Sequence, residues 1–154
     1  RLHGSKGLVY EGGIRVPTVV WWPEHIQPNS VNQTPSAFWD WYPTLLAVAD
    51  QEVKETDGIN LLPNLTDQSE IPERGLYWEF GKSQAFRLGN WKLLQFKTKE
   101  GVDTHLYQLD KDESESVNVA DTFPEQVALM KKLSIEARTQ SSNFQSFLDK
   151  YHTE

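Results

Sequence analysis

The chain has 154 residues, 38% hydrophobic and 24% charged, enough for one ordinary core or two small ones and short for a complete multi-substrate enzyme. Its net charge of -7, with Lys and Arg scattered along the chain, argues against a nucleic-acid partner, and no apolar run is long enough to cross a bilayer, which argues against a membrane span. The absence of cysteine removes disulfides and thiolate metal sites while leaving the redox compartment open, and a first residue that is Arg1 rather than Met reads as a piece of something larger.

The opening stretch "GSKGLVYEGGIRVP" sets one lysine, Lys6, between Gly4 and Gly7. An ammonium flanked by glycines can be approached closely by an anion, and sulfate or phosphate oxygens suit its three donors. A solvated surface lysine is the bland alternative. Glu11 and Arg15, four apart around Gly12 and Gly13, read as an ion pair that fixes the backbone rather than as catalysts. His3 is singled out by its nearness to Lys6, whereas His25, His105 and His152 are dispersed, so a histidine metal site is not expected.

Next, "TVVWW" at residues 18–22 reads as a strand buried on both faces. "DWYPTLLAVA" reads as a helix with Asp40 as N-cap, Pro43 in the first turn, and Leu45, Leu46, Val48 and Ala49 on the buried side. Residues 51–73 contain Gly58, Pro63 and Pro72 among polar residues and read as a connecting segment. A sub-domain boundary is placed near Ile71, giving residues 1–70 and 71–154. Asn32-Gln33-Thr34 and Asn64-Leu65-Thr66 match the glycosylation acceptor pattern, a signal that also arises by chance.

The second part changes period. "GLYWEF" alternates Leu76, Trp78 and Phe80 against Tyr77 and Glu79; "QAFRL", Gly89-Asn90 and "WKLLQF" form a hairpin; "THLYQL" adds a fourth strand. Thr122, Phe123, Pro124 and Glu125 read as a capping box opening a helix whose stripe is Phe123, Val127, Met130, Leu133 and Ala137. A last turn carries Phe144, Leu148 and Tyr151. Between sheet and helix, Asp110, Asp112, Ser114, Ser116, Asn118 and Asp121 are spaced like a calcium loop, but Glu115 stands where that loop needs glycine, so a solvated turn is expected. The tryptophans and tyrosines can stack on a sugar ring, although at strand period they are more often core.

Taken in order, "GSKGLVYEGGIRVPTVVWWPEHI", "DWYPTLLAVA", "DGINLLPNL", "FRLGNWKLL", "LYQLDKDESESVNVA" and the closing helix resemble the C-terminal third of the formylglycine-dependent sulfatases, arylsulfatase-like members of the alkaline phosphatase superfamily. The resemblance implies that Lys6 binds the sulfate group of the substrate. It also implies a formylglycine nucleophile and a calcium ion, both supplied by sequence upstream of Lys6, with none bound by this chain. On that basis the chain alone is expected to be inactive. The implied fold is α/β: the end of a large mixed-sheet domain, then a four-stranded antiparallel sheet packed against a C-terminal helix.

The expected partners are a sulfated small molecule or glycan and the missing N-terminal part of the same protein, in an extracytoplasmic location. His3, and more loosely Trp78, Glu79, Gln84 and Arg87, are candidates to touch the substrate. Exposed apolar surface is expected on residues 8–50, where strand and helix want upstream partners. Two alternatives stay open: a related phosphodiesterase or phosphonate hydrolase using the same lysine region, and a non-catalytic β-rich carbohydrate-binding module.

Overall fold

The computed structural model describes residues 1–149, so Tyr151 and His152 lie outside the described residues. The chain divides into two compact units, one of Arg1–Pro17 with the chain from Glu73 onward, the other Thr18–Pro72.

The first unit is built on an antiparallel meander in the order β1 (Gly75–Phe80), β2 (Ser83–Leu88), β3 (Trp91–Lys97) and β4 (Val102–Gln108). Leu88 pairs with Trp91, so Gly89 and Asn90 form the expected two-residue turn, with Gly89 at φ 55°. Strict alternation then sends two sets of side chains to opposite faces. On one face Phe86, Leu93 and Leu106 bury with Met130 of helix α4 (Pro124–Glu136), flanked by Val127 and Leu133. Trp91 meets Phe123 edge-on at 5.2 Å. The expected capping box is absent: Phe123 is the N-cap without a side-chain bond, Pro124 opens the helix, and the Thr122 amide instead donates to the Val119 carbonyl.

The opposite face is also covered, which the periodicity alone did not indicate. Val9, Ala85, Leu94, Tyr107 and Leu109 bury together there, with Tyr10, Trp78 and Phe96 packed against them. Residues 1–17, grouped from sequence with the 1–70 part, thus supply the second lid of the sheet. Of the first strand's apolar set Leu76 is buried, while Phe80 at the strand's end is exposed.

In the second unit the short helices are a 3-10 turn (Phe38–Asp40), α2 (Trp41–Val48) and α3 (Leu62–Thr66). Three expectations are corrected there. Residues 18–22 form no strand, because no neighbouring strand among the described residues offers them a ladder; Val19 is 92% and Trp21 86% exposed. Asp40 does not cap α2 with its side chain: Oδ2 accepts the Ala37 amide at 2.7 Å and Oδ1 the Ile59 amide at 3.0 Å, tying the helix start to residue 59. The buried side of α2 is Pro43 and Thr44, while Leu45, Val48 and Ala49 are exposed. With Phe38 also exposed, apolar surface does concentrate in residues 8–50 as expected. Asn64 is buried and its amide donates to the Ser69 carbonyl, so the second glycosylation triplet is no open acceptor.

Candidate functional site

The Lys6 segment folds as a loop whose glycines have separate jobs. The Leu8 amide donates to the Ser5 carbonyl at 3.1 Å, closing a four-residue turn with Lys6 second and Gly7 third, at φ 87°. That left-handed third position is the type II geometry, and glycine adopts it without steric cost. Gly12 and Gly13 serve close approach instead. A Cβ on Gly12 would stand 2.4 Å from the His3 carbonyl oxygen, and one on Gly13 1.9 Å from that of Leu8. They lie in the single helical turn α1 (Glu11–Ile14), which folds back on the turn, and the Gly12 amide donates to the His3 carbonyl at 2.7 Å.

Lys6 is exposed and makes no hydrogen bond or ion pair with another described residue. His3, on the same loop, is exposed with its ring stacked on Tyr10 at 4.0 Å; its Nδ1 lies 3.2 Å from the Glu115 carbonyl oxygen. The structure therefore carries both candidates on one loop.

Beneath this loop is a buried ion cluster that spans the unit. Lys92 Nζ lies 2.9 Å from Glu11 Oε1 and 2.8 Å from Glu115 Oε1, and the Glu11 amide donates to Glu115 Oε2 at 2.6 Å. Arg87 Nη1 approaches Glu11 Oε2 at 3.6 Å. The expected Glu11–Arg15 pair is thus the looser contact, 3.9 Å with Arg15 half exposed, and Arg15 holds Glu113 at 2.5 Å instead. Lys92 buries because it sits at an inward position of β3, in alternation with Leu94 and Phe96, opposite Arg87 and Tyr107. An ammonium there requires carboxylates, since an unpaired buried charge is strongly unfavourable. Burial pushes the Glu115 carboxyl above its ordinary value, against the pull of Lys92.

The acidic stretch is a largely exposed turn, as expected, and it is ordered by its own side chains with only Glu115 buried. Asp112 Oδ2 accepts the Ser116 and Val117 amides at 2.8 and 2.9 Å, and Oδ1 accepts the Ser114 and Ser116 hydroxyls. Asn118 Oδ1 accepts the amides of Leu106 and Ala120. Glu115 occupies the glycine-like position at φ 51°, an uncommon conformation for a bulky residue. No group of three or more His, Cys, Asp or Glu among the described residues is placed to hold a metal ion.

Other candidates separate by face. Glu79 and Gln84 point to the α4 side of the sheet, where Glu79 binds the Tyr77 hydroxyl and Arg138, and Gln84 is buried. They are removed from the loop by the sheet's thickness. Trp78 packs in the loop-side core and Arg87 joins the ion cluster. Sequence reasoning missed Lys92 and Glu115; the available signal was a lysine at the inward period of a strand.

A family model described as "N-sulphoglucosamine sulphohydrolase, C-terminal" matches residues 3–142. The chain is 31% identical over 138 residues to a protein named Sulfatase from Formosa agariphila, an alignment covering 84% of this chain and 25% of that one. It is 29% identical over 165 residues to Arylsulfatase A of Homo sapiens, covering 87% of this chain and 32% of that protein. The crystal structure of Ps i-CgsB in complex with k-i-k-neocarrahexaose matches with a TM-score of 0.78 at 26% identity, over 97% of this chain and 35% of that one. The chain therefore spans only 25% to 35% of the length of these relatives.

Proposed function

Since the chain belongs to the sulfatases, as their N-sulphoglucosamine sulphohydrolase-type C-terminal region, we propose that the intact protein hydrolyses sulfate esters and that this chain supplies its sulfate-binding lysine, Lys6. The observation that carries the reading is Lys6 itself: an exposed ammonium without a partner among the described residues, on a turn whose shape Gly7 allows. Residues 1–70 are read as the end of the catalytic α/β domain and 71–154 as its closing sub-domain, with residues 1–17 packed onto the sheet of the latter.

The chemistry follows from charge. A sulfate ester carries negative charge on its oxygens, and the departing alkoxide or phenoxide gains more as the S–O bond breaks. An ammonium already held in place stabilises that charge with little reorganisation, and such oriented stabilisers are often the largest catalytic effect. His3, exposed on the same loop, is assigned to contact with the bound ester. The formylglycine nucleophile and calcium ion of this reading are assigned to polypeptide outside these residues, and the isolated chain is assigned no turnover. Sulfated carbohydrate and aryl sulfate are the substrate classes, the former supported by the Ps i-CgsB neighbour and its bound neocarrahexaose. An extracytoplasmic location accompanies the reading through family membership.

The test is Lys6→Ala in the intact protein with 4-nitrophenyl sulfate as substrate. Turnover is expected to fall on the order of a hundredfold or more, the loss of one oriented charge stabiliser. Near-wild-type turnover removes Lys6 from the site. Parallel rates on phosphate diesters separate the related phosphodiesterase reading, which requires them to exceed the sulfatase rate.

A further inference from the structure

Three features meet at one residue. Glu115 accepts the Glu11 amide through Oε2, pairs with Lys92 through Oε1, and offers its backbone carbonyl within 3.2 Å of His3 Nδ1. His3 and Glu11 are the two ends of the loop that carries Lys6, and the Gly12 amide joins those ends by donating to the His3 carbonyl. Glu115 therefore grips the loop at both feet while Lys92 anchors Glu115 to the middle of the sheet. It does so from a left-handed backbone conformation, φ 51°, held by the Asp112-ordered turn around it.

We propose that Glu115 is the positioning residue for Lys6: its carboxylate and carbonyl lock the loop's two feet to Lys92, and so fix where the lysine ammonium stands. The inference rests on the assignment of Lys6 to sulfate binding. The alternative is that the cluster merely supports the fold, and the two differ in what depends on Lys6. A support for the fold harms every function of the protein alike. A positioning residue loses its influence once the group it positions is gone.

The key variant is Glu115→Gln in the intact protein. A carboxylate offers acceptors to both Lys92 and the Glu11 amide, whereas the carboxamide has one acceptor oxygen, so one tie is lost without loss of volume. Two measurements are made: amide hydrogen exchange over residues 3–12, and kcat and KM for 4-nitrophenyl sulfate with Lys6 present and in the Lys6→Ala background. The expected result is faster exchange at Leu8, Glu11 and Gly12. A loss in kcat of about tenfold or more is expected with Lys6 present, as for a misplaced catalytic contact. In the Lys6→Ala background that loss should shrink to within about twofold, the sign of coupled residues.

Unchanged exchange overturns the inference, since the loop is then held without Glu115. Equal losses in both backgrounds also overturn it, because Glu115 then acts without Lys6. Wild-type turnover in Lys6→Ala alone defeats the sulfate-binding assignment and this inference with it, and the exchange result distinguishes that case from a loop that never loosened. Should Glu115→Gln fail to fold, Glu115→Asp, which keeps both acceptors one methylene short, is read by the same outcomes.

Discussion

The Glu115 carboxylate and the Lys92 ammonium stand 2.8 Å apart with neither side chain exposed to solvent. Glu11 completes the group, so one buried cation faces two buried carboxylates, with Arg87 behind. Such a cluster is valuable only while complete: breaking a buried pair strands its remaining charges, although a matched apolar replacement can be neutral.

Lys92→Met should therefore destabilise the intact protein by about 3–5 kcal/mol, the usual result of leaving buried charge uncompensated. Adding Glu115→Gln should recover part of that loss. Urea denaturation of wild type, the two single variants and the double variant measures the coupling. Strictly additive effects would mean that the two groups do not share one electrostatic site.

The glycines of the loop give a steric prediction. Gly13→Ala places a methyl group 1.9 Å from the Leu8 carbonyl oxygen, so backbone must move. At Gly81, φ 61°, an added Cβ meets nothing within 4 Å, and only the backbone conformation resists. Gly13→Ala should lower stability by about 2–3 kcal/mol and Gly81→Ala by about 1 kcal/mol. The comparison is made by thermal melting, and equal costs at the two sites would contradict the packed loop.

Asp112 and Glu115 should shift stability with pH in opposite senses. Slight burial pulls Asp112 upward, but the Val117 and Ser116 amides and the Ser116 and Ser114 hydroxyls outweigh it and hold the carboxyl below its ordinary 3.8. Being lowered in the folded state, it contributes stability that is complete above pH 3.8 and lost as pH falls through the folded value. Glu115 is raised above its ordinary 4.5 by burial, more than Lys92 draws it down. Its contribution is complete below pH 4.5 and lost as pH rises through the folded value. Melting temperatures across the acid range should show Asp112→Asn flattening the decline below pH 3.8, and Glu115→Gln flattening the decline above pH 4.5. A variant curve parallel to wild type removes that group from the linkage.

What the chain reveals by inspection follows from the range of the interactions. The meander was legible because Leu76, Trp78 and Phe80 alternate with Tyr77 and Glu79 at a period of two and Gly89-Asn90 supplies its own turn; these are local rules. The strand read at residues 18–22 was not formed, because a strand exists only through its neighbour, and Val19 and Trp21 have none among the described residues. Lys6 and its glycines stood out since a turn is decided by adjacent residues. Glu115 did not: its partners Glu11 and His3 are separated from it by 104 and 112 positions, and no local pattern encodes such a pairing. Its one visible trace was misread, as a glycine position filled by the wrong residue rather than as a carboxylate turned inward.

That separation carries a consequence for biosynthesis. Glu11, at the foot of the corner bearing Lys6, leaves the ribosome 104 positions ahead of the residue that clamps it, a delay of roughly 5–20 s at ordinary translation speeds. Throughout that interval the nascent chain holds a lysine corner without its buckle, which arrives only with the turn that precedes α4.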